Sequence, residues 1–279
     1  MPEELELVVG DLRFRAMAEG PEDGELVLLL HGFPQSWWEW RHQMAALAAA
    51  GCRAVAPDQR GYSPGARPDG VDAYHVDRLV EDVLGMADAL GAARFHLVGH
   101  DWGAIVAWHV AVAAPERLET LTIVSVPHPA AFARALADPA SEQATKSSYI
   151  AGFQEPGAGD GMVADGGAGL RFAFQASGLD DDVEEHVRVL TQPGAIEAAL
   201  HWYRAFDFHA GTLGDVEVPT LFVWSTDDIA IAREGAVWTA GHVTGPYRFE
   251  VLDGVSHWVP EVAADRLSDL LRWRVEVKV

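Results

Sequence analysis

Cysteine is almost absent. Cys52 stands alone among 279 residues, so no disulfide can form within the chain, which suits a reducing cytoplasm. Cationic side chains are few: 20 Lys and Arg against 42 Asp and Glu leave a formal charge of −22. That balance argues against nucleic acid and anionic membrane as partners and favours solubility. Apolar runs such as Leu26 to Leu30 fall far short of a membrane span. Met1 to Gly10 carries acidic breaks and no basic start, so it does not read as a signal peptide. No Cys/His ligand spacing or HExxH points to a metal and no G-x-G-x-x-G follows a strand, so no cofactor is implied. Nothing sets an oligomeric state. What is present is a chain 49% hydrophobic, long enough for one large α/β domain with a lid or two small domains.

The stretch Phe95 to Trp108 organises the rest. Phe95 to Val98 suits a buried strand, and from Ala104 to Pro115 an alanine-rich apolar run suits a helix packed on a sheet. Between them lies Gly99-His-Asp-Trp-Gly103. A strand turning sharply into a helix needs glycine on both sides, because side chains there collide with backbone. This pattern is similar to the nucleophile elbow of α/β-hydrolases, with Asp101 where esterases carry serine. A carboxylate needs no deprotonation at neutral pH. It is poor toward amides but opens strained epoxides or displaces halide from saturated carbon, leaving an alkyl ester for water to cleave. The bland alternative is that Asp101 caps the following helix.

Along the chain, Leu5 to Val9 and Leu12 to Ala18 read as a hairpin turned at Gly10-Asp11. Leu26 to Leu30 reads as a strand buried on both faces, ending in His31-Gly32-Phe33-Pro34. His31 is expected to brace that loop, and the Phe33–Pro34 bond is a candidate cis peptide. Trp37 to Ala50 reads as a helix, Arg53 to Pro57 as a strand, and Asp58 to Pro64 as a structural turn locked by Asp58 and Arg60. Tyr74 to Leu90 is amphipathic, with Val76, Leu79, Val80, Val83, Leu84 and Ala87 on one face. Thr120 to Val126 is a further strand. This alternation implies a mainly parallel sheet wrapped on both sides.

The alternation breaks at Pro127 and resumes at Pro219. Residues 128–214 are therefore expected to form an inserted helical cap over an α/β core of residues 1–127 and 215–279, with Gly157 to Gly169 as a loop. Leu221 to Trp224 and Tyr247 to Leu252 are the last strands, and Glu261 to Trp273 the closing helix. Asp227 and Asp228 follow the first of these strands and His257 follows the second. The order of nucleophile Asp101, acid and histidine matches that expected for this fold.

These features closely resemble the epoxide hydrolases of the α/β-hydrolase superfamily over nearly the whole chain. The shared motifs are His31-Gly-Phe-Pro34, Asp58-Gln-Arg-Gly-Tyr62, Gly99-His-Asp-Trp-Gly103 and Ser256-His-Trp258. The resemblance implies an eight-stranded α/β-hydrolase fold, a small apolar epoxide and water as reactants, and no cofactor. Two cap tyrosines of the family, which hold and protonate the epoxide oxygen, match Tyr149 in Tyr149-Ile-Ala-Gly-Phe-Gln-Glu-Pro-Gly157 and Tyr203 in His201-Trp-Tyr-Arg204. The acid matches Asp228 rather than Asp227. Asp101 then attacks a ring carbon, His257 oriented by Asp228 activates water on the ester, and the N–H groups of Phe33 and Trp102 form the oxyanion hole. Candidates for an apolar pocket wall are Trp38, Phe153, Phe172, Phe174, Trp202, Phe206 and Trp258. The chain departs from the family at Pro156-Gly-Ala-Gly-Asp160, which implies a late or frayed helix after Gly157. Two rival functions are a haloalkane dehalogenase, a family that typically carries Asn where this chain has Phe33, and a non-catalytic ligand-binding protein, which needs no complete nucleophile–base–acid set.

Overall fold

The computed structural model describes residues 2–176, 179 and 183–277. Part of the expected cap (177, 178 and 180–182), Met1 and the last two residues of the expected core lie outside them.

Eight strands form one sheet. They are β1 (Glu3–Val9), β2 (Leu12–Glu19), β3 (Leu26–Leu30), β4 (Arg53–Pro57), β5 (Phe95–His100), β6 (Leu118–Val124), β7 (Thr220–Asp227) and β8 (Tyr247–Ser256), in the order β1-β2-β4-β3-β5-β6-β7-β8. Only β2 runs against its neighbours, pairing antiparallel with β1 and β4; every pair from β4 to β8 is parallel. The C-terminal ends of the parallel strands therefore share one edge, the usual place for ligands in open α/β sheets.

Helices α1 (Arg41–Ala49), α2 (Val76–Ala89) and α3 (Trp102–Ala113) connect the earlier strands. Six more lie between β6 and β7: α4 (Pro129–Ala137), α5 (Gln143–Lys146), α6 (Tyr149–Gln154), α7 (Asp160–Ala176), α8 (Glu184–Leu190) and α9 (Ala195–Ala205). The chain finishes with α10 (Arg233–Trp238), α11 (Val259–Val262) and α12 (Ala264–Glu276). Alternation along β3 explains its unbroken apolar run. Leu28 and Leu30 pack with Leu97, Ile123 and Phe222 on the face covered by α2 and α3. Val27 and Leu29 pack with Val98, Val124 and Leu221 on the face covered by Met44 of α1 and Leu267 of α12. Helix α3 is apolar on nearly every side because it is buried almost all round. Among the described residues no helix is long and apolar enough to cross a membrane.

Several expectations are corrected. The helix expected from Tyr74 begins at Val76, because His75 has an extended ψ of 144°. Its buried face also includes Met86 and Asp82; Leu84 packs against the same core but is only half-buried, as is Val76. Asp82 is buried because Arg60 grips it with two bonds of 2.6 and 2.7 Å. The glycine-rich stretch 157–169 is not one loop. It becomes helical at Asp160, with non-helical backbone confined to Ala164–Gly167. A Cβ on Gly169 would sit 2.5 Å from the Gly161 carbonyl, so glycine there permits close packing between turns. The closing helix is two, parted at Ala263 with φ −124°. Trp37–Trp40 is a 3₁₀ turn before α1.

The Arg60–Asp82 pair yields a stability prediction. Asp82→Ala leaves a buried guanidinium without its partner and should cost about 3–5 kcal/mol, measured by chemical denaturation. The double replacement Arg60→Met/Asp82→Leu should recover much of that loss.

Candidate active site

The elbow between β5 and α3 is built by close approach. A Cβ on Gly99 would lie 2.2 Å from the Gly103 carbonyl oxygen, and one on Gly103 would lie 2.1 Å from that of Leu30. Only glycine fits at either place, so the turn can press against β3. Asp101 at its apex has φ 49° and ψ −116°, a costly backbone for a residue with a side chain. Its carboxylate does not cap α3. Instead Oδ1 accepts a 2.9 Å bond from the Phe33 N–H, across the gap left by Gly32. Trp102 opens α3, so its N–H has no acceptor within the helix.

On the other side, His257 Nε2 lies 3.5 Å from Asp101 Oδ2 and Nδ1 lies 2.8 Å from Asp228 Oδ2. Asp228 is fixed further by the N–H groups of Ala230 (2.8 Å) and Ile231 (2.9 Å), which donate to Oδ1. Asp227 is exposed, its carboxylate beside the Thr226 hydroxyl. Sheet register makes this choice. Between the pairs Ser225–Leu252 and Asp227–Ser256 the pairing slips by two residues, so Asp228 stands opposite His257 rather than Val255. Gly254, with φ 68°, allows the slip.

The electrostatics follow from burial and partners. Burial opposes ionisation of Asp101, but the His257 bond and charge, His100 and the Phe33 N–H outweigh it and keep the carboxyl below its ordinary value. Burial likewise opposes charge on His257, yet Asp228 and Asp101 raise it to about 10. Burial pushes Tyr203 above the usual phenol value, and Tyr149 is raised likewise although 38% of that residue is exposed. Asp101 and Asp228 add to the shift at Tyr149, and Tyr149 and Asp101 add to it at Tyr203. Both phenols therefore stay protonated, able to donate.

The two tyrosines are brought together by bonds from side chains to backbone carbonyls. Gln154, at the end of α6, donates to the Tyr203 carbonyl at 2.9 Å, and Arg204 donates back to the Gln154 carbonyl at 3.1 Å. The rings sit 6.4 Å apart. Asp101, Tyr149 and Tyr203 line both of two cavities, of about 310 Å³ and 180 Å³. Trp102 and Phe206 line the larger; Phe33, Phe153, Phe174, His257 and Trp258 line the smaller. The remaining expected wall residues line neither. Trp38 stacks on Arg41 at 5.0 Å, Trp202 is buried with its indole N–H on the Arg60 carbonyl, and Phe172 is 73% exposed.

His31 is wholly buried and kept neutral, its pKa lowered to about 3 by burial. Its Nε2 accepts from the Gln59 N–H at 3.1 Å, which braces the loop of Phe33. The Phe33–Pro34 peptide is cis. Asp58 accepts from the Trp37 N–H and from Arg15, both at 3.1 Å.

Four contributors went unread in the sequence because each acts across long separations. His100 Nε2 and the Ser125 hydroxyl both hold the His257 carbonyl, at 3.0 and 3.1 Å, and buried Glu39 meets His100 Nδ1 at 3.1 Å. Gln143 of α5 clamps the acid loop, donating to the Ala230 carbonyl and accepting from the Ala232 N–H, each at 2.8 Å. Among the described residues no group of three or more His, Cys, Asp or Glu is arranged to hold a metal.

A family model described as the alpha/beta hydrolase fold matches residues 25–264. The AB hydrolase superfamily protein YfhM of Bacillus subtilis is 37% identical, with 87% of each chain covered. Epoxide hydrolase A of Mycobacterium tuberculosis is 32% identical, with 93% of each covered. The crystal structure of an epoxide hydrolase from Bacillus megaterium with an inhibitor superposes with a TM-score of 0.89 at 28% identity, covering 97% of this chain and 99% of that one.

The raised His257 value tests the contact with Asp228. Asp228→Asn removes the anion that favours the imidazolium, so the His257 pKa should fall by roughly 1–3 units, read by NMR of the labelled imidazole. An unchanged value would mean that Asp228 does not govern this histidine.

Proposed function

Because this chain belongs to the α/β-hydrolase-fold family and, within it, to the epoxide hydrolases, we propose that it adds water to epoxides through an ester on Asp101. One arrangement carries the reading: a carboxylate on a strained elbow, faced across a shared cavity by two protonated phenols. Tyr149 and Tyr203 donate to the epoxide oxygen and make it a better leaving group. Asp101 Oδ1 is held by the Phe33 N–H, which leaves Oδ2 to attack the ring carbon from the side opposite the C–O bond. The ring C–O bond breaks, and a tyrosine proton satisfies the new alkoxide.

Charge then reorganises the site. His257 owes part of its raised pKa to the Asp101 anion. Alkylation makes Asp101 a neutral ester, so that support is lost and the imidazole gives up its proton more readily, to the phenolate left by ring opening. As a neutral base oriented by Asp228, it takes a proton from water attacking the ester carbonyl. Oδ1 becomes the oxyanion, stabilised by the N–H groups of Phe33 and Trp102. Collapse breaks the acyl C–O bond; the departing alkoxide takes the proton of the new carboxyl group, which leaves Asp101 an anion again, and the vicinal diol is released. In this reading residues 128–214 act as a cap over the core of 1–127 and 215–279, and the lone cysteine fits a cytoplasmic setting.

The experiment is to trap the ester. His257→Gln should form it and fail to cleave it, so mass spectrometry after epoxide addition should find one substrate mass on the peptide containing Asp101. Asp101→Ala should show none. A single turnover in ¹⁸O-water should give mostly unlabelled new hydroxyl; label in the first diol and no adduct in any variant would sink the ester mechanism. Halide release from n-bromobutane at rates matching epoxide turnover would instead favour a dehalogenase.

The phenols are tested separately. Tyr149→Phe or Tyr203→Phe should each slow alkylation by about tenfold to a thousandfold, and the double variant should be nearly inactive in stopped-flow measurements.

A further inference from the structure

The two cavities meet only at the residues that would do the chemistry. Asp101, Tyr149 and Tyr203 are common to both walls, and each cavity then runs off in its own direction. Back-side attack places the nucleophile on one side of an epoxide carbon and the oxygen's donors on the other. The substituents on the two ring carbons project sideways from that line. A site with room on both sides therefore accepts a substituent on each carbon. The room is unequal, about 310 Å³ against 180 Å³.

The walls are also selective in charge. Among the described residues no lysine or arginine lines either cavity. The exposed liners of the larger one, which mark its mouth, include Asp77 and Asp207 together with His75. His75 is already paired with Asp77 at 3.3 Å. Deeper in, His109 is kept neutral by burial, and its Nδ1 is taken up by the Ile105 carbonyl at 2.8 Å. A carboxylate entering this lobe finds no cation and passes two anions.

We propose that the preferred substrates are neutral epoxides substituted on both ring carbons, the longer arm lying in the lobe that opens at Asp77 and Asp207 and the shorter in the lobe beside Met162 and Trp258. This rests on the epoxide-opening reading above and names the substrate class for that site. A terminal epoxide leaves the smaller lobe unfilled, and each methylene not buried there loses about fourfold in transition-state binding.

The test compares kcat/KM of the wild-type enzyme on two epoxides that share a pentyl arm, one terminal and one internal with a propyl arm on the second ring carbon. The internal epoxide should be favoured by at least about tenfold. A matched pair, an internal epoxide whose longer arm ends in a methyl ester and its free acid, should favour the ester by a similar factor. Met162→Trp, which fills the smaller lobe, should lower the internal-to-terminal ratio about fivefold or more. Asp207→Lys should raise the acid-to-ester ratio. Equal or better turnover of the terminal epoxide overturns the two-arm assignment, and equal turnover of acid and ester overturns the charge selection. Both comparisons use the wild-type enzyme, so a variant that fails to fold does not decide them. If the wild type opens no epoxide at all, the parent reading fails, an outcome distinct from the others.

Discussion

The approach of the β5–α3 turn to β3 is the constraint on which the site depends. With no side chain at Gly99 or Gly103, the turn closes until its backbone would touch any added Cβ. That closeness sets the Phe33 N–H 2.9 Å from the Asp101 carboxylate. It also forces Asp101 to a positive φ, a local cost held in place by a buried helix behind it and a sheet beneath it. A looser turn would cost less strain and would leave carboxylate and N–H too far apart to share one oxyanion.

The second organising fact is a chain of opposite charges with little access to water. Asp101, His257 and Asp228 are each at most 8% exposed. In so little solvent each charge depends on its neighbour, so a change at one is felt at the next. In the proposed mechanism, alkylation of Asp101 is therefore also a signal to His257. His100 and Ser125 hold the histidine through its carbonyl, which leaves both ring nitrogens free for the two carboxylates.

The helices between β6 and β7 do more than cover the sheet edge. Tyr149 and Tyr203 come from two of them, α6 and α9, which Gln154 and Arg204 lock together. A third, α5, reaches down through Gln143 to the loop that follows Asp228. Lys146, from the same short helix, donates to the Asp228 carbonyl. The segment that lines the two cavities thus also steadies the loop of Asp228, so the positions of the tyrosines and of that carboxylate are set jointly.

The local chemistry of the chain was legible without coordinates. Apolar runs bounded by glycine and proline marked the strands, and the paired glycines around Asp101 marked the elbow, because each signal is written in adjacent residues. The order of Asp101, the acidic pair and His257 along the chain was legible for the same reason. What the sequence left open lies in register and long-range contact. The family resemblance singled out Asp228 over Asp227, but the residues themselves did not show why it meets His257: the β7–β8 pairing slips by two residues at Gly254, and hydrogen bonds between separate strands leave no local pattern. Trp38, Trp202 and Phe172 look as suitable for a pocket wall as Phe153 and Phe206 do. Only packing decided that the first three face elsewhere, since hydrophobicity says that a side chain avoids water but not which of several apolar surfaces it meets.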